Sequence, residues 1–195
     1  MIEEQVVNDA IRYLGGKKED EEARSMLKGI LQANRDVLLP RQVTAIFTLK
    51  ETDPVLTFDG CEITLAGESI KKHFSGATEG LFSAFTLGVA FDRRVRELSL
   101  TRPSEAVALN ALGSAYAERK ADALLLEVRK EKEAEGFRTN FRFCPGYGDL
   151  DIHANAAIVA ALGATKKIGL TVTEAGTLIP VKSIVGVTAC VPQTR

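Results

Sequence analysis

Arg138-Thr-Asn-Phe-Arg-Phe-Cys-Pro-Gly-Tyr-Gly-Asp-Leu-Asp151 is the stretch on which the reading of this 195-residue chain turns. It opens as a strand pattern, with Phe141 and Phe143 alternating with Asn140 and Arg142. The pattern breaks at Cys144-Pro-Gly-Tyr-Gly148. Pro145 has no backbone donor, and Gly146 and Gly148 permit dihedrals closed to other residues. A strand therefore runs into a tight loop carrying a cation (Arg142), a phenol (Tyr147) and a carboxylate (Asp149), and a helix follows. Mixed polar groups presented from a rigid strand suit a binding site. A plain strand-turn-helix connection is the alternative.

Upstream of this stretch the helical period comes first. Residues 3–14 place Val6, Val7, Ala10, Ile11 and Leu14 on one face, and Gly15-Gly16 ends that helix. A charged connector, residues 17–22, leads into a second helix over 20–37, with Ala23, Met26, Leu27, Ile30 and Leu31 on one face. These helices form either a docking arm or one side of the core. Strands follow over 43–49, 55–58 and 61–65, and Asp59-Gly60 signals a hairpin between the last two. A short helix over 68–74 carries His73, read as an exposed helix-end histidine. Leu81, Ser83, Phe85 and Leu87 predict another strand. Phe91, Val95 and Leu98 predict a helix whose Arg93, Arg94 and Arg96 form a solvated face.

The longest helix spans about 104–134, started by Pro103. Small residues from Ala111 to Ala117 allow close packing along its first half, and residues 129–135 read as charged and exposed. Glu118 lies near the apolar stripe; charged groups are rarely buried without a partner. After the central loop, a helix over 151–167 and strands over 177–180 and 183–191 complete an α+β pattern, without regular βαβ alternation.

Composition excludes several classes. With 25 Lys and Arg against 26 Asp and Glu, the net charge is −1, which gives no argument for nucleic acid or an anionic membrane. No apolar run reaches bilayer length, and the acidic N-terminus lacks a signal-peptide pattern, so a cytoplasmic protein is expected. Three cysteines without CxxC spacing argue against a disulfide framework or a structural zinc site. Cys144 reads as a packed thiol, with a reactive thiol as the alternative.

Arg142-Phe-Cys-Pro-Gly-Tyr147-Gly-Asp149 resembles the activation (S-adenosylmethionine-binding) domain of cobalamin-dependent methionine synthase. The resemblance extends in order through the long helix with Glu118, Ala-Thr-Lys-Lys-Ile-Gly-Leu-Thr-Val-Thr-Glu174 and Leu178-Ile-Pro-Val-Lys-Ser183-Ile-Val-Gly-Val. It is most specific over residues 105–190. It implies a twisted antiparallel sheet flanked by helices, as one domain over 1–195 with residues 1–38 as an N-terminal helical region. Among ligand contacts it implies Arg142 on the carboxylate of S-adenosylmethionine, Glu118 on its amino group, backbone approach at Cys144 and Gly146, and Tyr147 lining the site. No residue is given a catalytic role. Any enzymatic part is that of a component in a cobalamin-dependent methyltransferase system.

The chain has no Asp-x-His-x-x-Gly motif, so cobalamin would come in trans from a methionine synthase subunit or a related corrinoid protein. A flavodoxin-like protein or another reductant would supply the electron. The chain departs from the family where Pro-Ala-Cys-Pro-Asp-His is replaced by Gly148-Asp-Leu-Asp-Ile-His153, and no N-terminal aspartate or late aromatic contact is matched. A docking or assembly protein that has lost the ligand is the second expectation.

Overall fold

Strand Glu79–Thr86 lies at the centre of the molecule, buried from Gly80 to Thr86. Such a strand needs apolar residues on both faces, and Leu81, Phe82, Ala84 and Phe85 supply them. The computed structural model describes residues 2–17 and 20–193. Lys18 and Glu19 of the predicted charged connector lie outside the described residues.

Along the chain, α1 (Ile2–Tyr13) and α2 (Glu21–Ala33) precede β1 (Arg41–Glu51), β2 (Leu56–Phe58) and β3 (Thr64–Leu65). Then come α3 (Glu68–His73), β4 (Glu79–Thr86), α4 (Val89–Thr101) and α5 (Pro103–Ala134). The remainder is β5 (Phe137–Thr139), α6 (Ala154–Leu162), α7 (Ala164–Ile168), β6 (Thr171–Val172), β7 (Leu178–Ile179) and β8 (Ser183–Pro192). Six strands form one sheet in the order β3-β2-β1-β4-β8-β5, and β6 pairs with β7 separately. Every one of these pairings is antiparallel.

Period-2 alternation divides the core between the two faces of the sheet. Phe85 and Ile184 pack with Val6, Val7, Ile11, Leu27, Leu31, Leu109 and Leu112 from the long helices. The N-terminal helices are thus one side of the core. On the other face Phe82, Ala84, Val185 and Val187 pack with Ile158, Val159 and Leu162 of α6. Phe82 meets Phe47 and Phe58 edge-on, with ring centroids 5.3 and 4.9 Å apart. Such pairs each contribute about 0.5–1.5 kcal/mol beyond their burial.

Several sequence expectations shift. The second helix stops at Ala33, and a 3-10 turn covers Arg35–Val37. Buried Asn34 makes the break: its Nδ2 donates to Ile30 O at 2.8 Å, and its Oδ1 accepts from Arg94 at 2.9 Å. Leu14 and Met26 are exposed. The Asp59-Gly60 hairpin is wider than its two turn residues, because Leu56 pairs with Leu65 and Thr57 with Thr64. The predicted 151–167 helix is two, α6 and α7, broken at Gly163. Lys132 is buried rather than exposed. It reaches Glu79 and Glu135, each at 2.6 Å, and lies 4.1 Å from the centroid of the Phe137 ring.

Candidate functional site

The central stretch is anchored along β8. Thr139 pairs with Cys190 and Phe143 with Val187, so four steps on one strand face three on the other. That one-residue bulge ends β5 at Thr139, earlier than the phenylalanine alternation predicts, yet hydrogen bonding resumes: Phe143 N donates to Val187 O at 2.7 Å. The bulge aims Arg142 back across β8 towards α5. Its stem crosses Gly186 so closely that a Cβ there would lie 2.5 Å from Arg142 Cγ.

Arg142 Nη2 meets Glu118 at 2.6 Å and Nη1 meets Asp122 at 2.9 Å, with the arginine side chain only 10% exposed. Glu118 and Asp122 stand four residues apart on α5, one turn of the same face. Sequence reasoning found the first and missed the second, although this spacing was its signal. The arginine is thereby neutralised on both edges, while Glu118 keeps 48% of its side chain exposed.

Beyond Glu118 a cleft of about 320 Å³ opens at the start of β8. Cys144, Tyr147, Ile152, Leu178, Val181 and Ile184 line it together with Glu118. Cys144 faces the Arg142 guanidinium and the Tyr147 hydroxyl; burial pushes its thiol pKa up, although Arg142 pulls the other way. It is a packed thiol, protonated at neutral pH. Tyr147 is raised by the charge of Cys144 and then by burial. Gly146 serves the loop itself, its N–H donating to Leu150 O at 2.8 Å. Gly146 and Gly148 take φ of +91° and +55°, as their positions in the turn require.

Asp149 turns away from the cleft. Its carboxylate accepts from the backbone N–H groups of Glu68 at 2.7 Å and Ser69 at 2.9 Å, capping α3. The bond from Ser69 leads the causes that hold its pKa below the ordinary value. His73, expected to be exposed, is 7% exposed and packs against Phe74, Phe141 and Phe143. Residues some 70 positions away bury it, which no local pattern reveals.

No protein-family model matches the chain, and no curated protein matches its sequence. Solved structures do match its fold. The MetH reactivation domain bound to AdoHcy aligns with a TM-score of 0.72, covering 99% of this chain and 76% of that one at 16% identity. The chain is an α+β protein with the activation-domain fold. It shares that fold with the reactivation domain of MetH. No helix among the described residues is long and apolar enough to cross a membrane.

Proposed function

We propose that the protein is an S-adenosylmethionine-binding activation subunit, supporting reductive remethylation of cobalamin on a partner methionine synthase or another corrinoid protein. The observation that carries this reading is the cleft beside Glu118. Its volume of about 320 Å³ lies within the usual range of small-molecule sites. A half-exposed carboxylate held by Arg142 suits a ligand ammonium. Ile152, Leu178, Val181 and Ile184 suit the uncharged body of the ligand. The fold is shared with a domain bound to AdoHcy, the demethylated form of S-adenosylmethionine, which supports the same reading.

Bound S-adenosylmethionine supplies an electrophilic methyl group. The chain's own residues bind and orient: Arg142 fixes Glu118, Glu118 takes the ammonium, and Tyr147 closes one wall. Cys144, kept protonated by burial, does not compete for the methyl group. The corrinoid and the reductant come from partners.

The test is methyl transfer from labelled S-adenosylmethionine to a corrinoid protein whose cobalt is in the inactive Co(II) state, with a reductant present. Label should appear on the corrinoid only when this protein is added; an unchanged rate would refute the proposal. A docking or assembly role is the second reading, favoured by the double engagement of Arg142 by Glu118 and Asp122. Binding to the corrinoid protein without any S-adenosylmethionine binding would establish it.

A further inference from the structure

The cleft continues past Glu118 into a smaller hollow of about 210 Å³, lined by Tyr13, Ser114, Ala117 and Lys182. The two share Glu118, Val181, Ser183 and Ile184 as a common wall. Lys182 is half-buried, and its backbone is fixed by a 2.9 Å bond from Leu87 N to its carbonyl. Its ammonium donates to Ser114 Oγ at 2.9 Å, and that hydroxyl donates onward to Asn110 O at 3.2 Å.

An ammonium has three donors, so this one bond leaves two to fill. Lys182 makes no ion pair among the described residues. Asp92, the carboxylate whose charge acts on it, accepts from Val181 N–H at 2.8 Å. Burial pushes the Lys182 pKa below its ordinary value against the pull of Asp92. Half-buried and without an ion pair, the ammonium gains from an anionic ligand that fills its remaining donors. Arg142 offers a poorer place for an anion, because two carboxylates already neutralise it.

We propose that Lys182 and Ser114 form an anion subsite beside Glu118. It receives the carboxylate of an amino-acid-bearing ligand whose ammonium rests on Glu118. This rests on the reading above that such a ligand occupies the cleft. Ser114, which holds the ammonium, stands one turn before Glu118 on α5, so the hollow presents an acid and an ammonium near each other, the charge complement of an amino-acid zwitterion. Lys182 is then the residue that distinguishes S-adenosylmethionine from relatives lacking its carboxylate, and Arg142 is a positioning residue for Glu118.

The experiment is calorimetric titration of the parent, Lys182→Met, Lys182→Arg and Arg142→Met with three probes. These are S-adenosylmethionine, its decarboxylated analogue, and 5′-methylthioadenosine, which lacks the whole amino-acid head. The parent should prefer S-adenosylmethionine over the decarboxylated analogue by about ten- to a hundredfold, the worth of a charged hydrogen bond. Lys182→Met should lose that preference, Lys182→Arg should retain it, and methylthioadenosine should bind the parent and Lys182→Met alike. A preference that survives Lys182→Met but vanishes in Arg142→Met overturns the subsite and leaves the proposed function standing. Loss of methylthioadenosine binding in Lys182→Met would mark the residue as structural and also overturn it. A parent that binds none of the three sinks both readings together.

Discussion

Acidification from pH 7 to pH 5 should destabilise the protein by about 2 kcal/mol through His73 alone. Burial lowers the His73 pKa from 6.5 to about 4. The folded protein therefore leaves the ring neutral where the unfolded chain takes up a proton. That contribution to stability is fully present above pH 6.5 and is lost as pH falls towards 4. The complete difference is worth about 3 kcal/mol, of which about 2 is gone by pH 5. The ring lies 4.8 Å from Phe141 and 5.2 Å from Phe143 by centroids, and its Nε2 has no hydrogen-bond partner, so nothing there rewards the proton.

The carboxylates of Glu4, Asp149 and Asp151, held low by Lys28, by the Ser69 N–H and by the His153 N–H respectively, lose their contribution only below their unfolded values near 4. The window from pH 7 to 5 therefore isolates His73. Urea unfolding at both pH values, on the parent and on His73→Leu, reads it directly. The leucine variant should show a pH loss smaller by about 2 kcal/mol. Equal losses in the two proteins would show that His73 is not the group that takes up the proton. The ring is joined to the site by contact, because Phe143 meets Tyr147 edge-on with centroids 5.9 Å apart and Asn140 Nδ2 donates to His73 O at 2.8 Å.

Three further outcomes are expected. Gly113→Ala should destabilise, although alanine normally favours a helix, because a Cβ would lie 2.1 Å from Phe91 Cζ. Overpacking of this kind costs about 1–3 kcal/mol, and a stabilised variant in thermal unfolding would contradict the packing. Asp149→Ala should lower the melting temperature and speed hydrogen exchange at the Glu68 and Ser69 amides, whereas Asp149→Asn should restore most of both; unchanged exchange would show that the cap does not hold α3. Gly186→Ala should weaken S-adenosylmethionine binding by displacing the Arg142 stem that holds Glu118, and unaltered affinity would remove Arg142 from the positioning role.

What the sequence disclosed was local. The alternation in β4 and the apolar faces of α1 and α2 follow from period alone, and residues 144–148 announce their turn through proline and glycine. Long-range burial was illegible. His73 is covered by Phe141 and Phe143, and Lys132 is matched by Glu79, partners far away in the chain. Glu118 and Arg142 were drawn together by the order of motifs, and the structure places them 2.6 Å apart. Asp122 was readable from its spacing to Glu118. Lys182 was not, because only the fold brings the start of β8 beside α5.

Titration of S-adenosylmethionine into the purified parent and into Glu118→Gln decides whether the cleft beside Glu118 holds the ligand. Saturable binding at one site is expected, weakened about tenfold or more when the carboxylate that faces the ligand's ammonium becomes a neutral amide. A parent that takes up no ligand, or a variant that binds as tightly as the parent, would contradict it.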